Sequence, residues 1–315
     1  MRRRLCAALV AAAATIVLLP ACAPDVLVIM DPILSATADA EGALTRELQR
    51  AGRRRNRRVA VVAMQDLSVT AFIHALETHL APLVLAPGLV GTIAIEAAVD
   101  YPQRRFYLVG REVEPDGHNV AAVTFDRIAA FGAAGQAAAQ RLTELSAAGR
   151  AVPLTLLFLV DSPQRAAELA AFRHAVEQKL AEPGTFEAVP PARVQQYNDP
   201  PDADTLRLVL RADDRSETAG NNRGGLYAFF LASANTVAWE VVGNRPATII
   251  SEWLPPQTGD RRVLGWIDHS WADALQAVLE SGDAGFLRVP ARYVHGPASN
   301  YEAVNTMAPA ADVGR

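Results

Sequence analysis

Residues 83–125 read LVLAPGLVGTIAIEAAVDYPQRRFYLVGREVEPDGHNVAAVTF, and the fold turns on how this stretch is parsed. Leu83 to Ala86 is an apolar run too short for a helix and bounded by Pro87-Gly88, the pattern of a buried strand. Gly91 to Val99 carries helical spacing and closes at Tyr101-Pro102. Two further apolar runs follow, Phe106 to Val109 and Val120 to Thr124. Strand, turn, helix, strand is a βαβ unit, which forces a parallel sheet covered by helices on both faces. In such α/β sheets the loops at the carboxyl ends of the strands line the ligand crevice. Here those loops are Pro87-Gly88-Leu89, which makes Gly88 a candidate contact, and Arg111 to Asn119.

The N-terminus begins Met-Arg-Arg-Arg, continues with an apolar core from Ala7 to Leu19, and reaches Pro20-Ala21-Cys22. A basic start, an apolar core of this length and a small residue before the cut describe a secretory signal. The apolar run is too short to span a bilayer comfortably as a mature helix. Leu19-Pro20-Ala21-Cys22 resembles the lipobox of bacterial lipoproteins, which implies cleavage before Cys22 and lipid attachment to its sulfur; an ordinary signal peptide with an incidental Cys is the alternative. Only Cys6 and Cys22 occur in the chain, so the mature body has no internal disulfide and relies on a conventional core. Loss of residues 1–21 removes three Arg and no acid, moving the formal charge from −4 to −7. A mildly acidic body argues against nucleic acid as a partner.

Asp25 to Met30 reads as the first strand, followed by Asp31-Pro32 and a helix over Thr37 to Ala51. That helix runs out through Gly52 into Arg53-Arg54-Arg55-Asn56-Arg57-Arg58, five Arg in six residues. Cations are favoured at a helix C-terminus by the dipole; contact with anionic headgroups is the functional alternative. Val59 to Met64 is the second strand and Val69 to His79 the second helix. A long Ala-rich helix, Ile128 to Ala148, closes a first lobe over residues 22–149. His74 and His79 are five apart, not the four that puts two ligands on one helix face, and the other His are scattered, so no metal site is expected.

The second lobe, residues 150–267, repeats the pattern. Pro153 to Val160 is a strand, and Ser162-Pro163 a cap and first turn for a helix to about Leu180. A weaker strand over Phe186 to Gln196 ends at Tyr197-Asn198-Asp199-Pro200, and Ala203 to Arg211 is a short helix. Leu226 to Leu231, Ala247 to Ser251 and Val263 to Trp266 are strands, with a turn at Ser233-Ala234-Asn235 and a helix over Thr236 to Val242. Residues 268–315 read as a last helix, Asp268 to Ser281, a return segment and a loose tail. Two tandem α/β lobes with an interlobe cleft are the natural architecture of a closing small-molecule binder.

The quoted stretch, with Tyr197-Asn198-Asp199-Pro200 and Val263 to Leu279, resembles the basic membrane lipoprotein family, the purine nucleoside receptor A-like lipoproteins. The likeness covers roughly Asp25 to Gly282 in order of elements, with identities concentrated in the first lobe. It implies a type I periplasmic-binding-protein fold and a substrate-capturing lipoprotein of an ABC importer, with a nucleoside-like ligand and a permease partner. It also implies where a ligand is held. Asp31 matches the polar residue after the family's first strand, Asn235 falls in its small-residue turn, and Glu252 or Trp253 stands where an Asp closes a later strand. Tyr197 and Trp253 offer ring faces for stacking. Asp31 equally suits capping of the turn that follows it. Several of the family's ligand residues are replaced: Pro32 to Ser35 lacks the stacking Phe, and the Lys expected near Gly265 is missing from a chain whose only Lys is Lys179. An interaction or sensor lipoprotein of the same fold with a degenerate ligand site is therefore the alternative function. No Gly-x-Ser-x-Gly elbow, His-Glu-x-x-His pair or phosphate-cradling Gly-rich loop with Lys occurs, so neither an enzyme nor a cofactor is expected.

Overall fold

The computed structural model describes residues 23–39, 41–110, 118–149, 152–182, 192–216, 225–231, 235–243, 247–252, 260–281 and 285–300. Cys22, Trp253 and the signal segment lie outside them. The chain divides into two compact units. Unit 1 holds the described residues up to Phe125 together with Ser270–Val289; unit 2 holds Asp126–His269 and those from Pro290 onward.

Unit 1 contains β1 (Val26–Met30), β2 (Val59–Ala63), β3 (Leu83–Pro87), β4 (Arg105–Val109), β5 (Val120–Asp126) and α1 (Pro32–Ala38), α2 (Ala43–Arg54), α3 (Val69–Thr78), α4 (Gly91–Asp100). Its sheet runs β2-β1-β3-β4-β5, and the register shows β1 parallel to β2 and β3, and β4 parallel to β3 and β5. Every residue of β1 is buried and β5 is buried up to its last residue, as a strand covered on both faces must be. The sheet core of Leu27, Ile29, Val84, Ala86, Phe106 and Leu108 packs on Phe72 and Leu76 of α3 and Ala94 and Ala98 of α4. Asn119 fixes the entry to β5, its amide donating to the carbonyls of Ala98 at 2.9 Å and Arg104 at 3.0 Å.

Unit 2 repeats the order: β6 (Leu154–Leu159), β7 (Arg193–Tyr197), β8 (Gly225–Phe230), β9 (Ala247–Ser251) and β10 (Val263–Asp268) lie as β7-β6-β8-β9-β10, all parallel. Its helices are α5 (Ile128–Ala147), α6 (Pro163–Leu180), α7 (Ala203–Ser216) and α8 (Asn235–Val242). Ser162 caps α6 by accepting from Arg165 N at 3.2 Å, with Pro163 in the first turn, as the sequence indicated.

Three expectations are corrected. The helix over Thr37 to Ala51 is two helices. Asp31 accepts from Leu34 N at 2.8 Å and Pro32 opens α1, while Gly42, at φ 68°, breaks the chain before α2. The long helix α5 belongs to unit 2, because its small-residue face lies on α6. The last helix forms as expected, as α9 (Trp271–Ser281), but the return segment after it is not irregular: α9 and β11 (Phe286–Pro290) belong to unit 1, where β11 extends the sheet beyond β5, while the expected tail lies outside the described residues. β12 (Arg292–His295) pairs antiparallel with β10 in unit 2. The chain therefore passes between the units three times.

Close packing of α5 on α6 depends on Gly135. A Cβ placed there would stand 2.4 Å from the carbonyl oxygen of Phe172 and 3.0 Å from Ala175 Cβ. Ala in a helix is ordinarily favoured over Gly by about 1 kcal/mol. Here the sign reverses: Gly135→Ala is expected to lower unfolding free energy by about 1–3 kcal/mol, because helix backbones rather than a flexible side chain must separate. Urea unfolding of the purified variant measures it.

Candidate functional site

In an open parallel sheet the crevice forms where successive connections leave toward opposite faces, at the carboxyl ends of the strands. In unit 1 that point lies between β1 and β3, and in unit 2 between β6 and β8.

The unit 1 edge carries Asp31 directly after β1 and Gly88 directly after β3, the two strands that flank the switch point. Gly88 opens a short 3₁₀ turn, Gly88–Val90. Asp31 is buried and its carboxylate caps α1. The same edge exposes apolar side chains on three adjacent connections: Ile33 after β1, Leu67 and Val69 after β2, and Leu89 after β3.

The unit 2 edge is built differently, around a buried network of charges. Arg165, in the first turn of α6, donates from Nη1 to Glu252 Oε1 at 2.5 Å and to Glu168 Oε2 at 3.0 Å. Its Nη2 donates to Glu252 Oε2 at 3.1 Å and to the Phe230 carbonyl at 2.8 Å, and its Nε to the Leu159 carbonyl at 3.1 Å. All five N–H directions of the guanidinium are thus engaged, tying together the ends of β6, β8 and β9. Arg127, just ahead of α5, donates from Nε to Glu168 Oε1 at 2.7 Å and lies 3.5 Å from Glu252 Oε1. The Arg165 guanidinium also sits over the Phe158 ring, 4.7 Å from its centroid.

Glu168 and Glu252 are fully buried, and only Arg127 of the four retains some exposure. Burial alone would lower the pKa of Arg165, but Glu252 and Glu168 outweigh it and hold the charge. Burial pushes Glu168 up, while Arg127 and Arg165 on its two oxygens pull it back toward the ionised form. His269, directly after β10, is half-buried with both ring nitrogens shielded from solvent, and its pKa is pushed down to about 3. Burial is the main cause and the Arg127 charge the next; Glu252 opposes and Arg165 adds.

A pH dependence follows. Below pH 6.5 the unfolded chain takes up a proton at His269 that the folded chain refuses until about pH 3. Stability present at neutral pH is therefore lost as pH falls through that window, by at most about 1.4 kcal/mol per pH unit. Glu168, shifted upward, works in the opposite sense at the acid end. The comparison of His269→Gln with the parent isolates the His269 share: the variant's unfolding free energy should fall less steeply between pH 6.5 and 5.

The remaining expected site residues have structural employment. Asn235, at the start of α8, is buried; its Oδ1 accepts from Leu231 N at 2.9 Å and its Nδ2 donates to Ser251 Oγ at 3.2 Å. This ties Asn235, at the start of α8, to Ser251 at the end of β9, the residue before Glu252. Tyr197 ends β7 and packs its ring against the core of Leu157, Leu206 and Leu210, and burial raises its pKa. Sequence reasoning missed Arg127, Arg165, Glu168 and His269. The signal was there in part: Arg165 and Glu168 are charges one turn apart in the first turns of the helix that follows an eight-residue, mostly apolar run.

No protein-family model matches the sequence, and no curated protein does. Solved structures match in shape. An ABC transporter system solute-binding protein from Aeropyrum pernix K1 aligns with a TM-score of 0.56 at 15% identity, over 85% of this chain and 74% of that one. An ABC transporter, LacI family transcriptional regulator from Brachyspira murdochii aligns with a TM-score of 0.53 at 11% identity, over 87% of this chain and 94% of that one. At such identities the likeness defines the fold. It is the type I periplasmic-binding-protein fold, with two α/β units whose sheets are dominated by parallel strands.

Proposed function

We propose that the protein is the lipid-anchored solute-binding component of an ABC importer. It is tethered in the cell envelope through Cys22 and captures a small polar ligand, nucleoside-like by the motif resemblance, at the carboxyl edges of its strands. The observation that carries this reading is the strand order 2-1-3-4-5 repeated in both units, which creates a switch point in each. Gly88 and the apolar Ile33 and Leu89 border the first. Tyr197 and the partly exposed Arg127 border the ends of the second sheet, and Trp253 follows Glu252 directly in sequence.

One observation favours a second reading, an interaction or sensor lipoprotein with the same fold. Asp31, Asn235 and Glu252 are committed to a helix cap, a backbone tie and an ion-pair network, which leaves little polar capacity for a ligand. Thermal unfolding of the mature chain against nucleosides, bases, sugars and amino acids separates the two. A receptor at about 100 times Kd gains roughly 2.7 kcal/mol and several degrees in midpoint. A shift with a nucleoside supports the importer and its family substrate, and a shift with another class keeps the importer alone. A flat panel would overturn the receptor reading in favour of the second.

A further inference from the structure

The five-Arg run of the sequence has no place in either ligand edge, and the structure gives it a definite position. α2 ends at Arg53 and Arg54, and the turn through Asn56, at φ 54°, leads back into β2. Residues 53–58 are all exposed, and Arg50 lies on the same helix one turn earlier, also exposed. Asp25 stitches this turn to the start of β1. Its backbone N–H donates to the Arg58 carbonyl at 2.8 Å, its carboxylate accepts from Arg58 N at 2.7 Å, and Arg57 and Arg58 pair with it at 3.6 and 3.8 Å. Arg55 pairs with Glu280 of α9. Among the described residues no carboxylate reaches Arg50, Arg53 or Arg54.

The patch is thus six Arg against Asp25 and Glu280, on a chain that is acidic overall. The helix dipole rewards one or two cations in the last turn, and only within that turn. It does not account for Arg57 and Arg58, which lie beyond the helix end. Position does. Asp25 is three residues from Cys22, so the Cys22 Cα can lie no further than about 11 Å from that of Asp25, the residue that pairs with Arg57 and Arg58. That is close to the screening length of physiological salt, roughly 8 Å, inside which charges on a surface are felt. The patch also stands at the amino ends of β1 and β2, the opposite edge of the unit 1 sheet from Asp31 and Gly88.

We infer that the Arg50–Arg58 patch docks on anionic lipid headgroups beside the Cys22 anchor, holding the carboxyl edge of unit 1 away from the bilayer. The inference rests on the lipid anchor proposed above. Each basic residue near an anionic surface strengthens docking about fivefold, so six at the anchor convert a loose tether into a preferred orientation.

The test uses the full-length protein isolated from membranes. Incorporation of labelled fatty acid, lost in Cys22→Ser, establishes the anchor. With Cys22 acylated and Cys6 removed with the signal, a cysteine introduced by Gln49→Cys is the sole thiol, and a fluorophore placed there reports proximity to headgroup-nitroxide lipids. Quenching is expected to be strong on phosphatidylcholine vesicles containing phosphatidylglycerol and weak on phosphatidylcholine alone. It should fall in high salt, and Arg53→Gln with Arg54→Gln should lower the docked-to-undocked ratio about 25-fold. Arg173→Gln, an exposed Arg in unit 2, should change nothing. An acylated protein quenched equally on both surfaces would overturn the docking while leaving the anchor intact. Absence of acylation would overturn the anchor and the docking with it. Retention on an anionic polysaccharide with no response to phosphatidylglycerol would overturn the lipid surface in favour of an acidic polymer.

Discussion

Arg165→Met is expected to cost about 3–5 kcal/mol of unfolding free energy, among the largest single losses available to the chain. The magnitude comes from what is left behind. Glu168 and Glu252 are fully buried and both accept from the same guanidinium nitrogen, Arg165 Nη1, and without it the two carboxylates keep only the more distant and partly exposed Arg127 of this pair of cations. The Leu159 and Phe230 carbonyls lose their donor in the same step. The cost is one of stranded charge rather than of a strong bond lost. A variant replacing Arg165, Glu168 and Glu252 together by Met or Leu should therefore recover most of the stability, as removal of whole buried ion clusters elsewhere does. Urea unfolding of the two variants decides it. A triple variant as weak as Arg165→Met would mean that the network contributes net stability of its own.

The second large effect belongs to Phe131. Its ring meets Phe230 edge-on at 4.7 Å and Phe158 at 5.6 Å, and Phe172 closes on Phe230 at 5.2 Å. All four side chains are fully buried. They join α5, α6, β6 and β8 into one aromatic core directly beneath the Arg165 network, whose guanidinium rests over two of these rings. Phe131→Ala removes a ring from a site with little freedom to collapse, at an expected cost of about 3–5 kcal/mol. Phe131→Leu should cost distinctly less. Equal losses for the two would show that the edge-on ring geometry, and not filled volume, is what matters.

The strands and most helices were legible because their signals are local. LVLAP and LTLLFL are continuous apolar runs, and a strand covered on both faces has no polar side to show. Ser162-Pro163 announces its helix by chemistry that any capped N-terminus requires. What failed was everything decided by remote partners. Nothing in Ile128–Ala147 itself says whether its Ala and Gly face lies against the sheet before it or the helix after it; Phe172 and Ala175, some 40 residues on, settle that. β11 and β12 are short, bounded by Pro or Gly, and paired with strands met long before. The charge network was hidden for the same reason. Arg165 and Glu168 read as an ordinary surface pair one turn apart, until Glu252, 87 residues later, turns them into a buried cluster. Asp31 caps the helix that follows it, the structural one of the two roles the sequence allowed, and that cap competes with the ligand role that the resemblance implied.

The threefold passage of the chain has a temporal consequence. Unit 1 is not contiguous: its sheet is edged by β5 until β11 arrives, and α2 lacks α9 until residue 281 has been made. Unit 2 lies entirely within that interval apart from its final strand. At ordinary synthesis rates of 5–20 residues per second, the roughly 160 residues between β5 and the end of β11 take about 8–32 s. For that time a strand that is buried up to its last residue in the finished fold, VAAVTFD, presents an open apolar edge, the feature that recruits foreign strands. The nascent chain is therefore most exposed to misassembly while its second half is being made, and a holdase bound over residues 120–126 would shield it longest where it is needed.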